Sequence, residues 1–226
     1  MTAPAPERRG SIIRDGLGVG IATGLYGTSF GAVSVGAGLS VAQTCALSLL
    51  VFTGASQFAL ISVLAAGGSA FAAAATAMLL GTRNALYGLR VAPLLGLSGA
   101  ARFGAAHLLI DESTAMSVTR KTQPDARLGF FVTGGAVFVL WNLFTLLGAL
   151  AGTALGDPET YGLDAAVGAA FLALLWPHLR EPGFRVVAVV AVAVALGVIP
   201  IAPAGVPVLA GFAVALVAGL LGRGQR

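Results

Sequence analysis

Charge is what this chain has least of. Only 10% of its 226 residues are Asp, Glu, Lys or Arg, against roughly 25% in an ordinary soluble domain, which excludes a water-exposed globule of the usual kind. Cysteine is limited to Cys45, inside an apolar run, so neither a disulfide framework nor a thiolate metal site is available. Histidine occurs only as His107 and His178, with no His-Glu-x-x-His spacing, and a catalytic zinc site is excluded with it; no metal or other cofactor is expected. The one lysine, Lys121, is not preceded by a phosphate-binding loop, which removes a built-in ATP motor. The Gly54-Ala55-Ser56 run lacks the Gly-x-Ser-x-Gly elbow of a serine nucleophile. The 32 glycines follow no Gly-X-Y period, so a collagen-like chain is excluded too.

What is present is apolar length. The chain is 57% hydrophobic with a mean hydropathy of +0.92, which predicts an all-α, polytopic integral membrane protein. Crossing a core about 30 Å thick takes about 20 apolar residues, and eight stretches qualify as candidates: 17–39, 42–66, 70–89, 104–119, 130–155, 165–177, 185–201 and 206–221. The fourth and sixth are short, so about seven to eight transmembrane helices are expected, some short or discontinuous. Residues 1–15 read as a cytoplasmic tail without a signal-peptide layout, 16–222 as the transmembrane domain, and 223–226 as a second cytoplasmic tail.

Orientation follows from Lys and Arg. With the N-terminus inside, the inner segments hold Arg8, Arg9, Arg14, Arg120, Lys121, Arg127, Arg180, Arg185, Arg223 and Arg226, and the outer ones hold Arg90 and Arg102. This predicts a multi-pass protein of the cytoplasmic membrane with both termini in the cytoplasm, and the loop around Asp157, Glu159 and Asp164 outside. A pI near 10 therefore reflects membrane orientation, and no nucleic-acid partner is expected.

Gly20, Gly24, Gly27, Gly31, Ser34 and Gly38 recur every three or four residues, making a small-residue seam for a helix of this chain or of another, so an oligomer is compatible. A short echo links Gly38-Leu39-Ser40 to Gly162-Leu163-Asp164, with Ser40 and Asp164 both suited to cap a helix.

Three polar pairs interrupt the apolar runs: Ser56-Gln57, Arg83-Asn84 and Asp111-Glu112. A charged side chain at bilayer depth costs about 2.5 to 3.5 kcal/mol on insertion scales, so such residues persist where they pair or line a polar cavity. Thr53-Gly54-Ala55-Ser56-Gln57-Phe58 sits mid-span and suits a helix break, whose free backbone groups can bind a polar solute; an unbroken helix bonding to its neighbours is the alternative. Arg83 and Tyr87 share a face at the end of the third span, with Asn84 adjacent. Arg83 can reach a substrate carboxylate, pair with an acid on another helix, or snorkel to the interface with Arg90. His107 and Asp111 are four apart, on one face if the helix is continuous. Asp111 and Glu112 diverge by about 100° on a helix, so one can face a cavity while the other pairs with a neighbour such as Arg83, and either can carry a coupling proton.

At these residues the chain resembles the AzlC-type branched-chain amino acid permeases. The likeness rests on Phe52-Thr53-Gly54-Ala55-Ser56-Gln57-Phe58-Ala59, Leu64-Ala65-Ala66-Gly67-Gly68, Arg83-Asn84-Ala85-Leu86-Tyr87-Gly88 and Asp111-Glu112, in that order, and extends over residues 16–222. One departure is Asn84, where the family usually has a titratable His, and Gly81 replaces a polar residue nearby. The resemblance implies the large subunit of an exporter for leucine, isoleucine and valine, with methionine a further candidate, working beside a small hydrophobic AzlD-type membrane subunit and without enzymatic activity. It places substrate contacts at Thr53, Gly54, Ala55, Ser56, Gln57, Phe58, Arg83, Asn84 and Tyr87, with Phe52 bordering the aliphatic pocket, and proton coupling at Asp111 and Glu112. A non-transporting membrane scaffold and an intramembrane acid-base enzyme are the rival classes; the divergence of Asp111 and Glu112 disfavours the latter.

Overall fold

The computed structural model describes residues 8–155, 172, 175, 176 and 178–222, and these are helical with no strand. The helices are α1 (Arg9–Gly36), α2 (Val41–Val51), α3 (Ala55–Ala65), α4 (Ala70–Leu95), α5 (Ala101–His107), α6 (Asp111–Val118), α7 (Gln123–Leu155), α8 (Pro182–Val198) and α9 (Val206–Gly222). Among the described residues, Gln123–Ala154 is the helix long and apolar enough to cross a membrane by both measures, with a mean hydropathy of 1.9. The helix ends obey local chemistry. Ser40 and Gln43 form a reciprocal capping box on α2, the Ser40 amide donating to Gln43 Oε1 at 2.8 Å; Ser69 caps α4; and α4 ends at Gly96 in the left-handed region.

The frame is α1 laid parallel along α7. The glycine seam of α1 makes this possible: Gly16 faces Thr133, Gly20 faces Ala136, Gly24 faces Leu140, Gly27 faces Trp141 and Gly31 faces Thr145 and Ala149, in one register. Gly148 and Gly152 of α7 return the fit against Thr28 and Ala32. The partner of the seam is therefore within this chain. Gly38 is not part of it, because it lies beyond the helix at φ +92.

The next element overturns the expectation that residues 42–66 cross the membrane. α2 descends against α7, sharing a wall with Gly152 and Thr153 at Ser40 and Val41, then placing Ser48 Oγ 3.4 Å from Thr145 Oγ1 and Phe52 5.0 Å from Phe138 between ring centroids. The chain reverses at residues 52–54, and α3 climbs back until Leu64 shares a cavity wall with Gly38 and Leu39. At 11 residues each, α2 and α3 span about 16 Å apiece, half the hydrocarbon core, a length that suits a re-entrant pair.

α4 then runs the full depth, further than the expected 70–89. Gly81 neighbours Ser56, Gly88 neighbours Leu109, and Gly96 neighbours Gln123 and Arg127, whose guanidinium donates to the Leu95 and Gly96 carbonyls. The α4 C-terminus therefore lies at the same end as the α7 N-terminus, and Arg83 sits mid-helix rather than at a span end. From there α5 enters and α6 returns. His107 reaches Phe52 at 6.0 Å between centroids, the chain turns at residues 108–110, Met116 packs on Gly129, and Arg120 pairs with Asp15 at 3.6 Å. Residues 104–119 are a second re-entrant hairpin, not a crossing, and the break separates His107 from Asp111, so the two do not share one helix face.

This topology also corrects the placement of Arg90 and Arg102. Both sit at the end that holds Arg14, Arg120 and Arg127. The α8–α9 turn meets the α3–α4 turn at the other end, where Gly205 approaches Val63 and Ala72. Arg14, Arg90, Arg102, Arg120 and Arg127 thus lie at one end, and the turns at the opposite end, residues 37–40, 66–69 and 199–205, carry no charge. The sixth candidate span, the Asp157–Asp164 loop, the Gly162-Leu163-Asp164 echo and the outermost tails lie outside the described residues, save isolated positions in the sixth span.

Two measurements check this arrangement. In a Cys45→Ala background, a membrane-impermeant maleimide should label Ala37→Cys and Ala66→Cys from one side and Ser98→Cys from the other; opposite sides for Ala37→Cys and Ala66→Cys would contradict the first hairpin. Gly31→Leu should lower the thermal stability of the detergent-solubilised protein by about 1 to 3 kcal/mol through overpacking, whereas Gly18→Leu, with open space around it, should leave it unchanged.

Candidate functional site

The two hairpin tips enter from opposite ends and meet mid-bundle, enclosing a cavity of about 410 Å³, within the range of small-molecule sites. Thr53, Gly54 and Ala55 of the first tip and Ile110, Asp111 and Glu112 of the second face one another across it. Ala22, Thr23 and Tyr26 of α1 close one side and Val137 and Trp141 of α7 another, with Phe52 and Phe58 completing an apolar, largely aromatic wall.

Each tip is a break in hydrogen bonding that the chain repairs itself. At the first, Gly54 takes φ +60, a left-handed geometry that glycine accepts without strain. Gln57 is fully buried; its Oε1 accepts from Thr53 N at 3.3 Å and Gly54 N at 3.0 Å, and its Nε2 donates to Leu47 O at 3.2 Å. Its amide thus joins α2 to α3 and does not line the cavity. Ser56 also faces away, toward Gly81, where an added Cβ would stand 3.5 Å from the hydroxyl. At the second tip, Ser113 Oγ donates to Leu108 O at 2.7 Å and accepts from Ile110 N at 3.0 Å. Asn84 Nδ2 donates to Leu109 O at 3.2 Å, so the residue that departs from the family pattern fastens α4 to that tip.

Electrostatics divide the acid pair. Arg83 Nη2 lies 2.8 Å from Asp111 Oδ2, with Tyr87 beside the same carboxylate. Arg83, Asn84 and Tyr87 stand behind the second tip and do not line the cavity. Glu112, across the helix, accepts from Thr23 Oγ1 at 3.4 Å and has no ion-pair partner among the described residues.

Other polar atoms here are buried without a partner: the hydroxyls of Thr53 and Ser56, and the indole Nε1 of Trp141. Buried polar groups are normally bonded, so such a group on a cavity wall marks where a solute's polar atoms fit. Thr23, Tyr26 and Trp141 are wall residues that sequence reasoning missed. A tryptophan far from either end of a span, where tryptophans usually gather, is a signal for Trp141; Thr23 and Tyr26 were hidden beside the glycine seam. The elbow-like string Gly27-Thr28-Ser29-Phe30-Gly31 lies inside the uninterrupted α1, with no strand-to-helix turn to present a nucleophile.

Comparison with known proteins gives the family. The AzlC protein family model matches residues 18–155, the stretch from α1 to the end of α7. An uncharacterized membrane protein of Archaeoglobus fulgidus is 34% identical over 156 residues, covering 67% of this chain and 67% of its own length. The inner membrane protein YgaZ of Escherichia coli strain K12 is 31% identical over 160 residues, covering 67% of this chain and 63% of its own. No solved structure matches the chain.

The Arg83–Asp111 pair can be measured by a double-mutant cycle. Arg83→Leu and Asp111→Leu should each destabilise the solubilised protein, and the double variant should lose less than their sum, with a coupling of about 1 to 3 kcal/mol in chemical denaturation. Additive losses would mean the two side chains do not act as a pair.

Proposed function

This chain belongs to the AzlC family, and on that premise we propose that it is the large subunit of a secondary transporter that exports branched-chain and similar hydrophobic amino acids across the cytoplasmic membrane, coupled to protons. The observation that carries this reading is the cavity between the tips, which has an apolar and aromatic body and polar groups at its two helix N-termini. An amino acid with an aliphatic side chain has that same division. Half-helix ends meeting near mid-depth are also how many secondary transporters build a solute site.

The basic end of the bundle is the cytoplasmic end by the positive-inside rule, which puts the N-terminus inside, the first hairpin outside and the second inside. Thr53, Gly54, Ala55 and Phe58 contact substrate; Ser56, Gln57, Arg83, Asn84 and Tyr87 support the tips; Asp111 and Glu112 form the acidic side, where substrate ammonium and the coupling proton exchange. A small AzlD-type subunit and lipid cover the apolar exterior. α8, which buries none of its residues, offers surface for either.

Efflux from amino-acid-loaded cells co-expressing the small subunit tests the reading. Wild type should release leucine and valine, and Glu112→Gln should cut the rate at least about tenfold, at equal membrane abundance, by removing an interaction worth about 1.5 to 3 kcal/mol. Wild-type rates in Glu112→Gln would sink its role. Absence of any amino-acid efflux from the intact pair would favour a scaffold subunit.

A further inference from the structure

The two tips are electrostatically unequal. Helix N-termini carry a partial positive charge and unbonded N–H groups. α6 meets this with Asp111 and Glu112 in its first turn, whereas α3, facing the same cavity, has no acid in its first turn. The amides of Thr53 and Gly54 are taken up by Gln57, and those of Gln57 and Phe58 by Gly54 O. The first-turn amides of Ala55 and Ser56 remain unused.

Two unpartnered donors belong to the wall of the cavity that this end faces. Thr53 lines the cavity with a buried hydroxyl that has no partner. Trp141 is 2% exposed, forms part of the cavity wall, and keeps its indole N–H unpartnered. The cation that would otherwise claim a carboxylate, Arg83, is already bonded to Asp111 at 2.8 Å.

The geometry points to a carboxylate subsite at the α3 N-terminus, in which the Ala55 amide, the Thr53 hydroxyl and the Trp141 indole hold the carboxylate of the substrate while Glu112 takes its ammonium. This rests on the amino-acid reading above and sharpens it. The site has a fixed polarity, carboxylate toward the first hairpin and ammonium toward the second, and it selects zwitterions over amines and acids of the same skeleton. Trp141 is then a specificity-determining residue, because its indole N–H is a directional donor that phenylalanine lacks at nearly the same shape.

The test is calorimetric titration of the full chain in lipid nanodiscs with leucine, leucinamide and 4-methylpentanoate, for wild type, Trp141→Phe and Thr53→Val, each first shown to be monodisperse. Wild type should bind leucine tightest. Each variant should weaken leucine and 4-methylpentanoate about tenfold, the size of one lost charge-assisted hydrogen bond, and weaken leucinamide, whose uncharged carbonyl accepts a weaker bond, by clearly less. Leucine binding unchanged in both variants, or leucine and leucinamide weakened equally, would overturn the subsite while leaving the amino-acid reading intact. If wild type bound 4-methylpentanoate but not leucine, and Trp141→Phe abolished that binding, the subsite would stand and the amino-acid reading would fall. Binding of neither carboxylate by wild type would overturn the subsite.

Discussion

Backbone that leaves a helix at bilayer depth must find its hydrogen bonds inside the protein, and this structure depends on meeting that demand twice in one place. Water is absent there, and each unsatisfied amide or carbonyl costs several kcal/mol. One buried amide, Gln57, closes the first break through three bonds. Ser113 and Asn84 share the second. These fasteners let the chain turn back at mid-depth and so create two helix N-termini where a continuous span would have none.

The rest of the molecule holds those turns opposite each other. Close contact of α1 with α7 along the glycine seam gives a stiff pair against which both hairpins lie, since α2 and α6 each run antiparallel to α7. The Arg83–Asp111 pair and the Asn84 bond fix α4 to the second tip. A charge pair with both side chains less than one-third exposed is a weak source of net stability but a strong constraint on position, because breaking it leaves a charge alone in a poor solvent. Asp111 is thus engaged, and Glu112 is the carboxylate on the cavity wall without an ion-pair partner among the described residues.

Much of the site was legible because polar residues in apolar runs are few. The break at Gly54, the importance of Gln57 and the pairing option for Arg83 and Asp111 all follow from that scarcity. Their roles were less legible. Gln57 and Asn84 have the right chemistry to meet a solute, but whether an amide serves ligand or backbone depends on what lies within about 3 Å, which spacing along the chain does not specify. Trp141 was overlooked because it lies in an apolar run where an aromatic residue reads as packing.

Composition and hydropathy by themselves determined that the chain is helical and membrane-embedded and that its glycine seam would pack closely. Only the tertiary structure decided that residues 42–66 and 104–119 turn back instead of crossing. A run of some 25 apolar residues satisfies the bilayer equally as one span or as two half-length helices, since both remove the same side chains from water. The difference lies in how distant segments meet: Ser48 against Thr145, Arg127 on the end of α4. Those contacts bring Arg90 and Arg102 to the basic end and make the charge pattern consistent, a clue that was present in the sequence and could be read only once the path of the chain was known.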